Sequence, residues 1–117
     1  MYKVIIAGGR DFSDYEYLRA SADSDLSGIG EDIEIVSGEA RGADSLGERY
    51  AKEKGHSIKL FPAEWDKYGR AAGPRRNADM AAYADALIAF WDGKSKGTKN
   101  MIDKATAKGL KVSVHQY

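Results

Sequence analysis

Short apolar runs alternate along the chain with segments in which apolar residues recur every three or four positions. The runs cover residues 3–7, 33–36, 58–61, 87–91 and 110–114, and their length and composition are typical of β-strands. The intervening segments have the period of amphipathic helices. This alternating order predicts an α/β domain in which a mostly parallel five-stranded sheet carries helices on both faces.

Signals for the ends of helices agree with this order. Ser13, followed three residues later by Glu16, has the spacing of a capping box, which predicts that Ser13 caps the first helix. Pro74 fits the first position of a later helix, where the missing amide hydrogen of proline costs nothing. Gly55 and Gly109 are typical of helix ends. The chain contains no linker and no internal repeat, so we expect a single domain over residues 1–117.

The polar, glycine-bearing loops of the chain directly follow the predicted strands. In open α/β sheets, ligands bind at the carboxyl ends of the strands, where these loops lie. A five-stranded sheet of this kind usually reverses its winding beside the first strand, so that the first and fourth strands flank a crevice. This arrangement places residues 8–11 opposite residues 92–98, with residues 37–44 alongside. The ligand site is therefore predicted at one edge of the sheet.

Two of these loops carry glycines and lead into predicted helices. Backbone amides at a helix N-terminus bind anions, and a missing Cβ lets a phosphate approach closely. Neither loop matches a Walker A motif, and the first loop of the chain has only part of a dinucleotide fingerprint. We expect valine at Gly42 or Gly97 to exclude a phosphate while the domain stays folded.

Several arginines lie near the same loops. Arg10 directly follows the first glycine pair, where a guanidinium group can bind a phosphate through two hydrogen bonds. Arg75 and Arg76 fall in the first turn of a predicted helix, where the helix dipole disfavours cations unless an anion is present. One of the two is therefore predicted to contact the ligand. Trp65 and Trp91 have the aromatic surface to stack on a base, although packing is the commoner role of tryptophan.

Composition argues against several classes of function. Lys and Arg (18) balance Asp and Glu (18), so no overall positive field favours nucleic acid. The absence of cysteine excludes disulfides and thiolate chemistry, and the two histidines are too far apart to suggest a metal site. No apolar stretch approaches the roughly 20 residues that span a bilayer, and the chain enters its first strand without a signal-peptide pattern. We expect a cytoplasmic protein with no metal, no cofactor and no membrane partner.

Taken together, the loop motifs resemble the YspA-like branch of the SLOG superfamily. The motifs occupy residues 8–12, 37–44, 61–65, 73–77 and 95–98, in the same order and across almost the whole chain. The resemblance implies a three-layer Rossmann-like fold related to the lysine-decarboxylase-like LOG proteins and to the DNA-processing protein DprA. It also implies the binding of a nucleotide or a nucleotide-derived ligand.

The resemblance to LOG enzymes, which cleave the base from nucleoside monophosphates, is incomplete. Those enzymes use a G-G-x-G-T-x-x-E motif and an arginine on a preceding helix. Gly97 and Thr98 match the G-T step, and Arg75 or Arg76 resembles the arginine. Met101 stands where the motif has glutamate, and a methionine can act neither as an acid nor as a base. Cleavage would need another group, and the candidates are Glu39, Asp44, Glu64 and Asp92.

We therefore predict that the protein binds or senses a nucleotide-derived small molecule through its glycine-bearing loops. Two alternatives stay open, namely LOG-like phosphoribohydrolase activity and DprA-like binding of single-stranded DNA, the latter disfavoured by the zero net charge. The sequence also leaves room for a homo-oligomer. The expected ligand-binding residues are Gly8, Gly9, Arg10, Asp11, Ser37, Gly38, Arg41, Gly42, Asp44, Arg75, Arg76, Asn77, Asp92, Ser95, Gly97 and Thr98.

Overall fold

The computed structural model describes residues 1–117 and contains one five-stranded sheet. The strands are β1 (Tyr2–Gly8), β2 (Ile33–Ser37), β3 (Ser57–Leu60), β4 (Ala86–Trp91) and β5 (Lys111–Gln116). They lie in the order β3-β2-β1-β4-β5, and every neighbouring pair is parallel. The winding direction reverses at β1, which pairs with both β2 and β4. The predicted crevice between the first and fourth strands is therefore confirmed.

Helices cover both faces of the sheet. They are α1 (Tyr15–Asp25), α2 (Ala43–Lys54), the short α3 (Trp65–Tyr68), α4 (Ala72–Tyr83) and α5 (Lys96–Ala107). Helices α1 and α2 contact each other on one side, and α4 and α5 contact each other on the other side. The predicted three-layer, Rossmann-like α/β fold is confirmed.

Two separate hydrophobic clusters hold these layers together, and the alternation of β1 explains why. Successive side chains of a strand point to opposite faces of a sheet. Val4 and Ile6 accordingly pack in the cluster beneath α1 and α2, whereas Ile5 and Ala7 pack in the cluster beneath α4 and α5. All four residues are buried, which is usual for a central strand of a parallel sheet.

The first helix is not capped as the sequence predicts. The N-cap of α1 is Asp14, whose side chain accepts a hydrogen bond from the amide of Tyr17 at 3.1 Å. Glu16 does not reach back to Ser13 but forms an ion pair with Arg19 at 2.8 Å. The capping-box prediction at Ser13 is wrong, because the neighbouring aspartate offers an equally suitable acceptor one residue later.

The segment between β3 and α4 is more regular than the sequence suggests. It contains α3 and a single 3₁₀ turn over Gly69–Ala71, which runs directly into α4. Helix α4 therefore begins at Ala72, and Pro74 occupies its third position instead of the predicted first. Proline is tolerated there because the amides of the first turn have no partner within the helix.

Candidate functional site

A cleft of about 690 Å³ opens at the carboxyl edge of β1 and β4. Its walls are formed by the loop after β1, by Trp65 and by the first turns of α2, α4 and α5. This volume lies within the range of roughly 300–1,000 Å³ that is usual for small-molecule sites. The cleft is thus where the topology predicts a ligand site, and its size suits a nucleotide.

Most of the residues singled out in the sequence lie around this cleft. Eleven of the sixteen line it, namely Gly8, Gly9, Arg10, Asp11, Asp44, Arg76, Asn77, Asp92, Ser95, Gly97 and Thr98. Two more, Gly38 and Arg41, line an adjoining cavity of about 320 Å³, which we call the side cavity. Arg10, Ala40, Trp65 and Arg76 belong to the walls of both spaces.

The other three residues lie outside both spaces. Ser37 is buried, and its hydroxyl donates a hydrogen bond to Glu48 at 2.6 Å. The guanidinium group of Arg75 is exposed and lies 4.0 Å from the centre of the Tyr68 ring. Gly42 is at the N-cap of α2. These three residues contact other parts of the protein and do not line the cleft.

The structure also distinguishes Gly42 from Gly97, although the sequence predicts the same effect of a valine at both positions. Gly42 has a φ of +76°, and a Cβ there would lie 2.7 Å from the carbonyl carbon of Arg10. Any larger residue at Gly42 would therefore strain the fold, which contradicts the expectation of a folded valine variant. A Cβ at Gly97 would meet no atom within 4 Å. Only Gly97 is a position where a side chain can obstruct the cleft without disturbing the fold.

The loop before α5 is organised by two short polar side chains. Asp92 accepts hydrogen bonds through Oδ1 from the amides of Lys94 and Ser95, each at 2.8 Å. These backbone donors lower the pKa of the Asp92 carboxyl below its usual value. Ser95 is the N-cap of α5 and accepts a hydrogen bond from the amide of Thr98. The first turn of α5 is thereby held facing the cleft.

Arg76 is the half-buried cation of the cleft. Its Nη1 donates to the carbonyl of Gly38, and its Nε donates to Oδ1 of Asn77 at 3.0 Å. Burial lowers the pKa of Arg76, and the nearby positive charge of Arg10 lowers it further, whereas Asp44 raises it. The guanidinium group is held in place by neutral acceptors, so its positive charge is only partly compensated.

Asp44 is the buried carboxylate of the cleft and is only 4% exposed. Its Oδ2 accepts a hydrogen bond from the amide of Ala40 at 3.3 Å. Burial, reinforced by the charge of Glu48, raises the pKa of Asp44 to about 6, although the Ala40 amide and Arg76 oppose the shift. Asp44 therefore changes its protonation state close to neutral pH, which is unusual for an aspartate.

Asn77 connects the two helices on the far side of the cleft. Its Nδ2 donates to Oδ1 of Asn100 at 3.0 Å and to the carbonyl of Gly97 at 3.4 Å. These bonds hold the second turn of α4 against the start of α5. Asn77 thus fixes the shape of the cleft through contacts with the protein itself.

Asp11 is held at the cleft rim by the last residue of the chain. The hydroxyl of Tyr117 donates to Oδ1 of Asp11 at 2.6 Å, and partial burial together with this bond raises the pKa of Tyr117. A Cβ at Gly9 would collide with the same Tyr117 ring. Glycine at this position therefore makes room for an aromatic residue of the protein.

Several residues that are not in the list of expected ligand-binding residues also line the cleft. Trp65 is 49% exposed and belongs to the walls of both spaces. Lys96 and Asn100 of α5 also line the cleft. Lys96 could have been predicted from the sequence, because it lies within the motif of residues 95–98. Trp91 instead donates its indole hydrogen to the carbonyl of Ser95 at 3.0 Å, so it braces the loop before α5.

The cations around the cleft differ from those elsewhere on the surface. Six ion pairs join side chains or the N-terminus within 4 Å, and most lie on or near α1 and α2. A seventh pair joins His115 to Asp25. Arg10, Arg41, Arg76 and Lys96 take part in none of them. Their charges are therefore available to an anion that enters the cleft or, for Arg41, the side cavity.

A family model described as the YspA, cpYpsA-related SLOG family matches residues 2–68, which include β1 to α3 and two of the glycine-bearing loops. The chain belongs to this family. It is also 32% identical over 118 residues to the Gene 61 protein of Mycobacterium phage D29, and the match covers 96% of this chain and 94% of that protein. The predicted family is thereby confirmed.

The fold of this SLOG family member is similar to that of DNA processing protein A (DprA) from Streptococcus pneumoniae. The two superpose with a TM-score of 0.75 at 20% sequence identity, over 97% of this chain. The chain spans half the length of DprA. At this identity the similarity shows the fold alone. Membership of the SLOG family supports a general role related to nucleotides or DNA.

Neither a metal site nor a membrane segment was found in this SLOG domain. No group of three or more His, Cys, Asp or Glu side chains is arranged to hold a metal ion. None of the helices combines the length and the hydropathy that crossing a bilayer requires.

Proposed function

We propose that the cleft binds a phosphate-bearing nucleoside compound, which the protein senses or retains without consuming it. The observation that carries this proposal is the convergence of three helix N-termini and several unpaired cations on one cleft. Helices α2, α4 and α5 all begin at its walls. Arg10, Arg76 and Lys96 face the same space without a carboxylate partner within 4 Å. Helix dipoles and free cations both favour a bound anion.

The first turn of α5 is the best position for the phosphate. The amide of Thr98 is used by the cap Ser95, and the amide of Lys99 donates to the carbonyl of Ser95. The amides of Lys96 and Gly97 make no hydrogen bond to a carbonyl outside the helix or to a side chain. Gly97 leaves open space beside them, so a phosphate oxygen can approach these donors closely.

Other cleft residues have the chemistry to hold the nucleoside. The indole ring of Trp65 is half exposed at the rim and offers a surface on which a base can stack. The carboxylates of Asp11 and Asp92 also line the cleft and can accept hydrogen bonds from sugar hydroxyls. A phosphate at α5, a sugar near these carboxylates and a base against Trp65 would fill the cleft.

This proposal can be tested with nucleoside mono- and diphosphates of the four common bases, by thermal shift and then calorimetry. A ligand of the folded state raises the melting temperature by mass action. Arg76→Ala should weaken binding by about 1.5–3 kcal/mol, the range for a hydrogen bond to a charged group. Arg75→Ala is the matched control, because it removes the same charge one residue away and outside the cleft. Absence of binding across the whole panel at millimolar concentration would refute the proposal.

A second function, cleavage of the N-glycosidic bond, is favoured by one observation. Asp44 is buried in the cleft and its pKa is raised to about 6, so both its protonated and its ionised forms are populated near neutral pH. Such a group can give a proton to a departing base or accept one from water. Met101, which stands where LOG enzymes have glutamate, is buried in the cleft wall and offers neither possibility.

Product analysis separates the two functions. If the protein is a phosphoribohydrolase, nucleoside monophosphates should yield free base and ribose 5-phosphate, and Asp44→Asn should abolish the release. The rate should also change with pH around 6, where Asp44 titrates. Binding without any release of base favours the sensing function.

A further inference from the structure

The two edges of the sheet differ in how they are protected against pairing with another chain. Strand β3 forms one edge over only four residues, contains the exposed Lys59 and is followed by Pro62. Short length, lysine and proline are the usual means by which proteins protect an edge strand. Strand β5 forms the other edge over six residues, and its only lysine, Lys111, stands at its start. The β5 edge is therefore the longer and the less protected of the two.

The backbone of β5 has unpaired hydrogen-bonding groups along its outer side. The amides of Lys111 and Tyr117 donate to carbonyls beside the two ends of β4, each at 3.3 Å. Because the backbone groups of a strand alternate in direction, the amides of Val112, Val114 and Gln116 point away from β4. No side chain accepts a hydrogen bond from these three amides. Such an edge is a template for one more strand.

Apolar side chains beside this edge are left partly exposed. Val112 packs against the cluster beneath α4 and α5 but is only partly buried, as is Ile102 of α5. Val114 points to the same face of the sheet as Val112, and it is 42% exposed. A strand added to β5 would cover Val112 and Val114. Burial of apolar surface would therefore favour its addition together with the backbone hydrogen bonds.

We propose that the β5 strands of two copies of this chain pair in antiparallel orientation across a two-fold axis, which joins their sheets into one continuous sheet. The outward amides must bond to outward carbonyls, and an axis at Ser113 satisfies this condition. Val112 of each copy then lies opposite Val114 of the other, so that apolar residues face each other twice. Lys111 of each copy lies opposite His115 of the other.

The charges around β5 favour a second copy of the chain over an unrelated strand. Oδ2 of Asp25, the last residue of α1, lies 2.7 Å from Nε2 of His115. Lys111 is exposed and forms no ion pair within 4 Å. In the proposed register, Lys111 of each copy reaches Asp25 of the other across the interface. One strand thus supplies both members of the apolar pair and lies beside both members of the ion pair.

Sedimentation equilibrium of the wild-type protein tests whether this dimer forms. Two six-residue strands with their flanks make a small interface, so we expect a dissociation constant between about 10 and 100 µM. A protein that stays monomeric up to about 500 µM would overturn the inference. A polymer longer than a dimer would overturn it as well, because it would indicate pairing between unlike edges. The inference is independent of the function proposed for the cleft.

Val114→Pro tests the contribution of the β5 backbone. Proline is tolerated where the amide of an edge strand points to solvent, so the variant keeps its bonds to β4 and loses one bond per copy in the dimer. Dimerisation should weaken at least about 10-fold. Leu60→Pro is the matched control, because it removes an outward amide from the β3 edge. Thermal melts establish that both variants are folded. A dimer that persists in Val114→Pro, or that only Leu60→Pro disrupts, would contradict the proposal.

Lys111→Glu tests the charges without altering the backbone. It places a carboxylate beside Asp25 of the other copy, and we expect it to weaken the dimer at least about 10-fold. Lys108→Glu makes the same change of net charge at an exposed residue outside β5 and should leave the dimer intact. Addition of Asp25→Lys to Lys111→Glu restores opposite charges across the interface and should restore the dimer. Equal dimerisation of Lys111→Glu and Lys108→Glu would show that the proposed pairing is wrong.

Discussion

The loop before α2 (residues 38–42) and the loop before α5 (residues 92–95) look alike in the sequence, since each follows a buried strand, contains glycine and leads into a helix. In the structure they have different surroundings. In the α2 loop, a Cβ at Gly42 would collide with the backbone of Arg10, and a Cβ at Gly38 would lie 2.9 Å from Cζ of Arg76. In the α5 loop, a Cβ at Gly93 would meet no atom within 4 Å.

Glycine therefore lies in two different environments at the edge of this sheet. The α2 loop is packed against the rest of the protein, and the amide of Ala43 donates to the carbonyl of Gly9 at 3.2 Å, which ties α2 to the loop after β1. Its glycines allow one part of the protein to approach another. The α5 loop is supported from behind by Trp91 and leaves Gly97 facing open space. Here the missing side chain leaves open space, which is where we propose that a phosphate binds.

The largest effect is expected for Gly42→Val. A β-branched residue at a φ of +76° and in contact with the Arg10 carbonyl carbon should reduce the free energy of unfolding by about 3 kcal/mol or more. Urea denaturation followed by circular dichroism measures this. Gly97→Val is the matched control and should change stability by less than about 0.5 kcal/mol, because valine is tolerated in a first helical turn. Equal stability of the two variants would remove the distinction between the loops.

The next largest effect is a dependence of stability on pH. It has opposite signs for Asp44, at the start of α2, and for Asp92, in the loop before α5. Asp44 has a folded-state pKa of about 6 against an ordinary 3.8, so protonation favours the folded state. The stability of the wild type relative to Asp44→Asn should therefore fall by about 2 kcal/mol as the pH rises from 4 to 7. Urea denaturation at pH 2.5, 4, 5.5 and 7 tests this.

Asp92 in the α5 loop provides the contrasting variant for that experiment. Its pKa is lowered by backbone donors, so its contribution to stability is present at neutral pH and is lost as the pH falls below the ordinary value. Relative to Asp92→Asn, the wild type should thus become less stable on acidification. If the stability of the wild type relative to each of the two variants changes in the same direction with pH, the carboxylate of Asp44 is not effectively desolvated.

A smaller effect is expected for ligand binding in Gly97→Val. The valine side chain would occupy the space beside the amides of Lys96 and Gly97, and should weaken the binding of a nucleoside monophosphate by about 10-fold, or about 1.4 kcal/mol. Calorimetry on this variant measures the change, and Lys94→Ala, at an exposed position of the same loop outside the cleft wall, shows whether any alteration of the loop has this effect. Unchanged affinity in Gly97→Val would place the phosphate elsewhere in the cleft.

The smallest expected effect is that of Ser95→Ala on stability. Loss of the N-cap oxygen leaves the amide of Thr98 without its acceptor and should cost about 1 kcal/mol. Ser45→Ala, which removes a hydroxyl that donates to the carbonyl of Ala40 near the start of α2, is the comparison in the other loop. A loss in Ser95→Ala no larger than in Ser45→Ala would show that the cap contributes little to α5.

Much of the candidate site could be predicted because it depends on the order of elements. Once β1 and β4 are neighbours in a parallel sheet, the loops that follow them must meet, wherever their individual side chains point. Gly8 and Gly97 accordingly both line the cleft. Arg76 and Arg75 could not be distinguished in the same way. Adjacent residues of a helix point about 100° apart, and only the packing of α4 decides which of them faces the cleft.

The amino-acid sequence by itself determined the alternation of strands and helices, the family and the edge of the sheet at which the cleft opens, because hydrophobic period and motif order are properties of the chain alone. Only the tertiary structure decided that Gly42 is closed in by the backbone of Arg10 while Gly97 stays open, and that burial raises the pKa of Asp44. These properties depend on which distant atoms lie within a few ångströms, and packing between elements sets those distances.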